Sequence, residues 1–393
     1  MQKYNFNNLK EFIIEWKSNQ KYFDMLGLMA QLSRLFSDSE VPYLDYRLAE
    51  NLFCRYYQAL NDARSCTAYD ARISQIGIGI KTFILKSKDQ STEKIAEFNK
   101  LKKNLEGLKG LDLARQIAIF RNDRMRFAND VFDVSETLYH IVGRKEGLLR
   151  IFNCPYKEVN IEKIHLEKDD DTSIKFNDEV DEYVFNKSKS VLMKRFIAPN
   201  RNFKDIEVEI IDEPLDLLEE LFAQKKSVID LTKKRKRGID YVILPLYSTR
   251  NNIVPEKSGL NQWNAGGRKR DEDEVYIPVP KYIHRNFPTF FPKRDEPFAL
   301  HLPDGNVLSA KICQDGGKAL MSNPNKDLGK WILRKVMHKK PGDLVTKEDL
   351  DRLGFDSICV ENLHKINENE VHEYSISFTL LNESYDKFIE DTE

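Results

Sequence analysis

In the first half of this 393-residue chain, Asp70, Lys81 and Glu50 are the residues whose types and spacing suit hydrolytic chemistry. Asp70 falls on a short β-type run (66–73), and Lys81 stands at the end of the next (76–85). A polar side chain inside apolar strands costs free energy unless it is partnered, so two of them ask for a reason. Glu50 lies on the preceding helix, in LAENL (48–52), outside its apolar stripe. Carboxylates hold the hard cation Mg²⁺ through oxygen, and a lysine can orient and deprotonate a water. Hydrolysis of a phosphodiester needs that combination. The plainer reading is that Asp70 starts a turn and Lys81 is a solvated strand end; the residues alone leave both open.

Two segments of the second half carry another kind of chemistry. STRNN (248–252) is followed by SGLNQWNAGGRKR (258–270), and KICQDGGK (311–318) by SNPNK (322–326). Both mix Arg and Lys with Asn, Gln and Ser around a Gly-Gly pair. Arg and Lys bridge guanine edges, Asn and Gln pair with adenine, and backbone freed by glycine approaches phosphate. Either segment alone also reads as a plain polar loop. Together they suggest a two-armed clamp on duplex DNA.

The elements that must position these residues follow from periodicity. Leu9, Phe12, Ile13 and Trp16 repeat at helical spacing, as do Met25, Leu28, Met29, Leu32, Leu35 and Phe36. A third helix after Pro42 carries Ala49, Phe53, Tyr56 and Leu60. The two β-type runs come next, then helices predicted over 92–107 and 112–132, then strands at Leu138–Val142 and Gly147–Phe152. Arg121, Asn122 and Arg124 on the second helix could approach phosphate or simply form surface salt bridges. Residues 165–240 are charge-rich, with strand (206–211) and helix (215–224) signals. Beyond Gly238 strands dominate: 275–279, with Pro278 implying an edge position, then alternation at Phe298, Leu300 and Leu302 and at Tyr374, Ile376, Phe378 and Leu380. Asp304-Gly305 marks a hairpin turn. Short helices are predicted at 281–287, 325–338 and 346–353, the middle one capped by Asn323 with Pro324 in its first turn.

Bulk properties narrow the class. Two domains are the natural prior at this length. No apolar run is long enough for a membrane helix, residues 1–8 lack the apolar core of a secretory signal, and a cytoplasmic location is expected. Five scattered cysteines have no metal-clip spacing and argue for a reducing interior. The net charge of −1 conceals strong local bias. Eight acids stand between Glu167 and Glu182, whereas Lys225 to Arg237 sets seven cations against Asp230 alone. Local fields decide phosphate attraction, although each run also reads as a solvated surface. His338-Lys339-Lys340 lacks the second copy and downstream Asp of a phospholipase-D-type site, and no P-loop or zinc-backed His-Asn-His pattern occurs.

Helix with acid, strand with Asp, strand ending in X-Lys, then helix resembles the PD-(D/E)XK nuclease superfamily over about residues 40–155. The family's acid two positions before the lysine is here Gly79. The resemblance therefore implies a second carboxylate from elsewhere, with Glu50 first and Gln75 second. PLYSTR (245–250), SGLNQWNAGGR (258–268), EVYIPVP (274–280) and KALMSNPN (318–325) resemble the C-terminal specificity domain of certain restriction endonucleases, a B3-like DNA-binding pseudobarrel, over about 240–365. That resemblance implies an N-arm from Arg250 to Arg270 and a C-arm from Lys311 to Lys326. The DNA contacts it implies are Arg250, Asn252, Asn261, Gln262, Trp263, Asn264, Arg268, Lys269 and Arg270 on the first arm. On the second they are Lys311, Gln314, Asp315, Lys318, Ser322, Asn323, Asn325 and Lys326.

The expectation is an α/β N-terminal nuclease domain (1–200) with a central mixed sheet flanked by helices. A basic linker (201–239) and a mostly β pseudobarrel (240–393) follow. The function expected is Mg²⁺-dependent, sequence-specific cleavage of double-stranded DNA as a Type II restriction enzyme. A cognate DNA methyltransferase belongs to such a system, and a homodimer is compatible with it. A non-catalytic DNA-binding regulator, which Gly79 favours, and a modification-dependent endonuclease are the alternatives.

Overall fold

The computed structural model describes residues 6–62, 68–223, 240–262, 271–368, 370–380 and 385–392, without the side chains of 221–223 and 380. The chain divides into two compact units. The first comprises Met1–Ala63, Ala68–Asn122 and Val134–Lys236; the second comprises Arg64–Thr67, Asp123–Asp133 and Arg237–Glu393.

The first unit opens with helices α1 (Leu9–Glu15), α2 (Gln20–Gln31) and α3 (Tyr46–Tyr57). Asp45 caps α3 by accepting from the amides of Arg47 (2.9 Å) and Leu48 (3.3 Å). Strands β1 (Leu60–Asn61), β2 (Ala71–Ile73) and β3 (Ile76–Ile84) follow, then β4 (Gln90–Glu97), α4 (Lys102–Leu105) and α5 (Gly110–Phe132), which belongs to this unit up to Asn122 and to the second from Asp123. Next come β5 (Glu136–Lys145), β6 (Leu148–Pro155), β7 (His165–Asp169), β8 (Ser173–Asn177), β9 (Glu182–Asn186), β10 (Val191–Ile197), β11 (Phe203–Glu207) and α6 (Pro214–Ala223).

Among the described residues, one sheet runs β1-β2-β3-β5-β6-β11. Its central pair, β3 and β5, is parallel, and the other pairings are antiparallel. Ile76, Ile78 and Ile80 turn to one face and pack with Phe12, Phe23, Phe53 and Tyr57. A second sheet runs β4-β10-β9-β8-β7, and its Ile174, Phe176, Tyr183, Phe185 and Leu192 pack against Leu113, Ile117 and Phe120 of α5.

Two expectations fail in this unit. Residues 92–97 are strand, not helix: β4 pairs along its length with β10, and that tertiary pairing overrides the helix preference of Glu, Lys and Ala. The acid-rich stretch runs through β7 and β8 to the start of β9 in the second sheet, and several of its acids make turns. Asp170 accepts from the Thr172 and Ser173 amides, and Asp178 from those of Val180 and Asp181. Within the span expected as linker, β11 pairs with β6.

The second unit contains β12 (Tyr241–Pro245), β13 (Ile277–Pro278), α7 (Lys281–Asn286), β14 (Pro297–His301), β15 (Val307–Cys313) and β16 (Ala319–Ser322). It continues with α8 (Asp327–Gly329), a π-helical stretch (Lys330–Val336), α9 (Lys347–Leu353), β17 (Phe355–Ile366), β18 (His372–Leu380) and α10 (Tyr385–Thr392). The sheet order is β12-β17-β18-β14-β15-β16-β13, with β14 and β18 parallel. Its end strands approach each other, so the sheet is nearly closed and barrel-like. β13 lies at the edge, as Pro278 requires. Phe298 and Tyr374 (centroids 4.8 Å apart) and Phe127, Phe355 and Phe378 fill the interior. Asn323 does not cap the following helix. The Asn323–Pro324 peptide is cis, and the Ser322 hydroxyl accepts from the Leu328 amide (2.9 Å) instead.

Candidate functional site

The candidate catalytic residues meet where β2 stops. β2 pairs with β3 only from Ile76 to Ile78, and the Asp70 amide adds one further bond to the Ile78 carbonyl (2.9 Å). Asp70 thus precedes β2 rather than lying on it, and Lys81 lies within β3 rather than at its end. Beyond that point Asp70 Oδ2 accepts from the Ile80 amide (2.7 Å) and stands 3.8 Å from Lys81 Nζ. Glu50 is buried on α3, and its Oε2 lies 3.2 Å from the Arg47 guanidinium. Burial, then the charge of Asp70, raises the Glu50 carboxyl to about 7, against the opposing pull of Arg47 and Lys81. Burial pulls the Lys81 ammonium down, but Asp70, Tyr156, Glu50 and Glu93 together hold it above the ordinary lysine value.

Two carboxylates and a lysine are therefore electrostatically coupled beside the end of β2. Among the described residues no group of three or more His, Cys, Asp or Glu side chains gathers as a ready metal cage. Glu93 went unnoticed in the sequence because its segment reads as helix. It lies on β4 within reach of the Lys81 charge, and its Oε1 accepts from the Ser91 hydroxyl (2.5 Å).

Gly79 has a steric explanation. A Cβ at this position would come within 2.8 Å of the Tyr139 ring and 2.9 Å of Tyr156, whose rings stack at 3.9 Å. The space an acid would need is filled by two tyrosines. Arg121 and Asn122 also leave the list of phosphate contacts. Arg121 is buried and donates to the Lys157 carbonyl (2.8 Å), and Asn122 is buried and exchanges hydrogen bonds with the Val159 backbone.

The expected reading loops divide into exposed groups and internal clamps. Arg250, Asn252, Lys318, Asn323 and Lys326 are exposed, and Gln314 and Asn325 are half-buried. Lys311 lies 3.4 Å from Asp295, and Asp315 is fully exposed, 3.5 Å from Arg294. Gln262 donates to the Glu272 carbonyl. Two expected contacts are corrected. Asn261 donates to the carbonyls of Pro255 (3.1 Å) and Val345 (3.0 Å) and accepts from the Val345 amide (2.7 Å), so its amide is committed to the fold. Ser322 is buried, and its hydroxyl bonds Pro324 and Leu328. Trp263, Asn264, Arg268, Lys269, Arg270 and the basic run 225–237 lie outside the described residues.

Among the described residues no helix is long and apolar enough to cross a membrane. No curated protein matches the chain. A family model described as the NgoFVII C-terminal B3-like DNA-binding domain matches residues 224–364 and so covers nothing of the site around Asp70. The nearly closed β unit is thus similar to a B3-like DNA-binding domain found in restriction enzymes, a likeness that points to DNA binding by this half of the chain.

Proposed function

We propose that the chain is a sequence-specific endonuclease that reads duplex DNA with its second unit and hydrolyses a phosphodiester at the Asp70, Glu50 and Lys81 cluster. The observation that carries the reading is the junction at the end of β2. There Asp70 and Lys81 lie 3.8 Å apart, beside a buried Glu50 whose proton is held by burial and by Asp70. The order α3, β1–β2–β3, α5 and a parallel β5 also supports a PD-(D/E)XK-type core.

Mg²⁺ fits this donor set: the donors are hard oxygens, a cation relieves the repulsion between the two carboxylates, and this ion ordinarily completes its shell with water and phosphate. When bound by Asp70 and Glu50 it supplies charge neutralisation at the phosphate and lowers the pKa of water. Lys81 orients the attacking water and stabilises developing negative charge. Asp70, fixed by the Ile80 amide, keeps Lys81 in position. Arg47 balances Glu50 in the free protein.

Metal-dependent nicking of plasmid DNA by the full chain tests the reading, and cutting undiminished in both Asp70→Ala and Lys81→Ala rejects the assignment. The filled space at Gly79 favours one rival, a DNA-binding regulator on a degenerate nuclease fold. That rival predicts duplex binding without nicking at any Mg²⁺ concentration.

A further inference from the structure

We infer that His284 is a positioning residue that sets base discrimination by the loop between β15 and β16, an inference that rests on the DNA-reading role proposed above. The backbone of this loop is unusual. Gln314 has φ 66° and ψ 170°, a region that only glycine visits at low cost, and Gly316 and Gly317 follow at φ 71° and 68°. Such a conformation persists only where its surroundings over-determine it.

Several of those surroundings are identifiable. The Gly317 amide closes the turn on the Gln314 carbonyl (3.0 Å), and the Val279 amide bonds the Lys318 carbonyl (2.9 Å). The Arg294 guanidinium lies 3.5 Å from Asp315, and from beneath the loop His284 on α7 places its Nε2 2.9 Å from the Gly317 carbonyl. A carbonyl can only accept, so this nitrogen carries the proton. The imidazole also packs against Gly317, where an added Cβ would stand 3.1 Å from its Cε1.

His284 itself is half-buried under the loop, whereas Asp315 and Lys318 point to solvent. Reading a base edge requires donors and acceptors placed within the narrow tolerance of a hydrogen bond, while attraction to phosphate does not. Releasing the loop should therefore remove discrimination and leave non-specific affinity nearly intact. The side chains that meet DNA would be unchanged; only their placement would be lost.

The test uses the full chain with a consensus duplex selected by the wild type from a randomised pool and a scrambled duplex of equal length. Fluorescence anisotropy gives the ratio of the two affinities for the wild type, His284→Phe, which keeps the ring but not the donor, and His284→Gln, which keeps a donor. The expected result is a roughly tenfold or larger fall in the ratio for His284→Phe. Scrambled-duplex binding should stay within about twofold, with most of the ratio restored in His284→Gln. A ratio preserved in His284→Phe overturns the inference. So does an equal loss on both duplexes with a lowered melting temperature, which would make His284 merely structural. A wild type that selects no consensus overturns the DNA-reading role itself, and with it this inference, and the wild-type arm identifies that case.

Discussion

The two candidate regions solve opposite problems. Around Asp70 the charges are buried or half-buried and coupled, so that the charge of Asp70 raises both Glu50 and Lys81. In the second unit the exposed cations and amides stand apart, and the fold works on the backbone behind them through Asn261, Ser322 and His284. A catalytic cluster needs low dielectric and mutual dependence. A reading surface needs solvent-accessible groups on a fixed frame. Substitutions should therefore act steeply in one unit and incrementally in the other.

The largest expected effect, and the most direct way to break this contrast, is on chemistry. Asp70→Ala and Lys81→Ala should each lower Mg²⁺-dependent cleavage on the order of 10²–10³-fold or more. Duplex affinity by anisotropy should move less than about twofold. A parallel loss of affinity would show that the two regions are not separable.

The next effect concerns the core beneath the cluster. His140 is fully buried, and its ring bonds the Tyr22 hydroxyl (2.9 Å) and Asn153 Oδ1 (2.8 Å). Burial lowers it to about 4. The unfolded chain therefore takes up the proton first, and stability should fall as pH drops from about 6.5 towards 4, by up to about 3 kcal/mol. Glu50, raised to about 7, acts in the opposite sense: its contribution is present below the ordinary glutamate value and lost as pH rises through 7. Urea titrations of Glu50→Gln across this range should show a steeper pH dependence than the wild type; an unchanged slope would rule out the buried carboxylic acid.

Smaller still is the cost of loosening the frame. Asn261→Ala leaves the Val345 amide and carbonyl without their partner and should destabilise the fold by about 1–3 kcal/mol in urea titration. The smallest effect belongs to the exposed cations. Lys326→Ala and Arg250→Ala should weaken duplex binding by about 1 kcal/mol and reduce the salt slope by about one, with the melting temperature unchanged. If Arg250→Ala destabilises as Asn261→Ala does, the distinction between frame and surface fails.

The sequence revealed the residues whose role is periodic or local. Alternating isoleucines marked β3, Pro278 marked an edge, and Asp304-Gly305 marked the β14–β15 hairpin. It concealed the second sheet, because turn-making acids such as Asp170 and Asp178 look like a solvated run until the short apolar alternations between them pair. It brought Asp70, Lys81 and Glu50 to notice by type, but their coupling depends on where β2 ends, a matter of strand length that no residue spells out. Asn261 and Asn252 look alike in sequence; only tertiary partners distinguish a committed amide from an exposed one.

The tyrosines over Gly79 constrain the history open to this site. Because any side chain at position 79 collides with two stacked rings at once, a carboxylate placed there must displace both tyrosines. Such a route would pass through an intermediate with damaged packing before any benefit appeared. Variation that tunes the site is open instead at Arg47, which is partly exposed and pairs with Glu50.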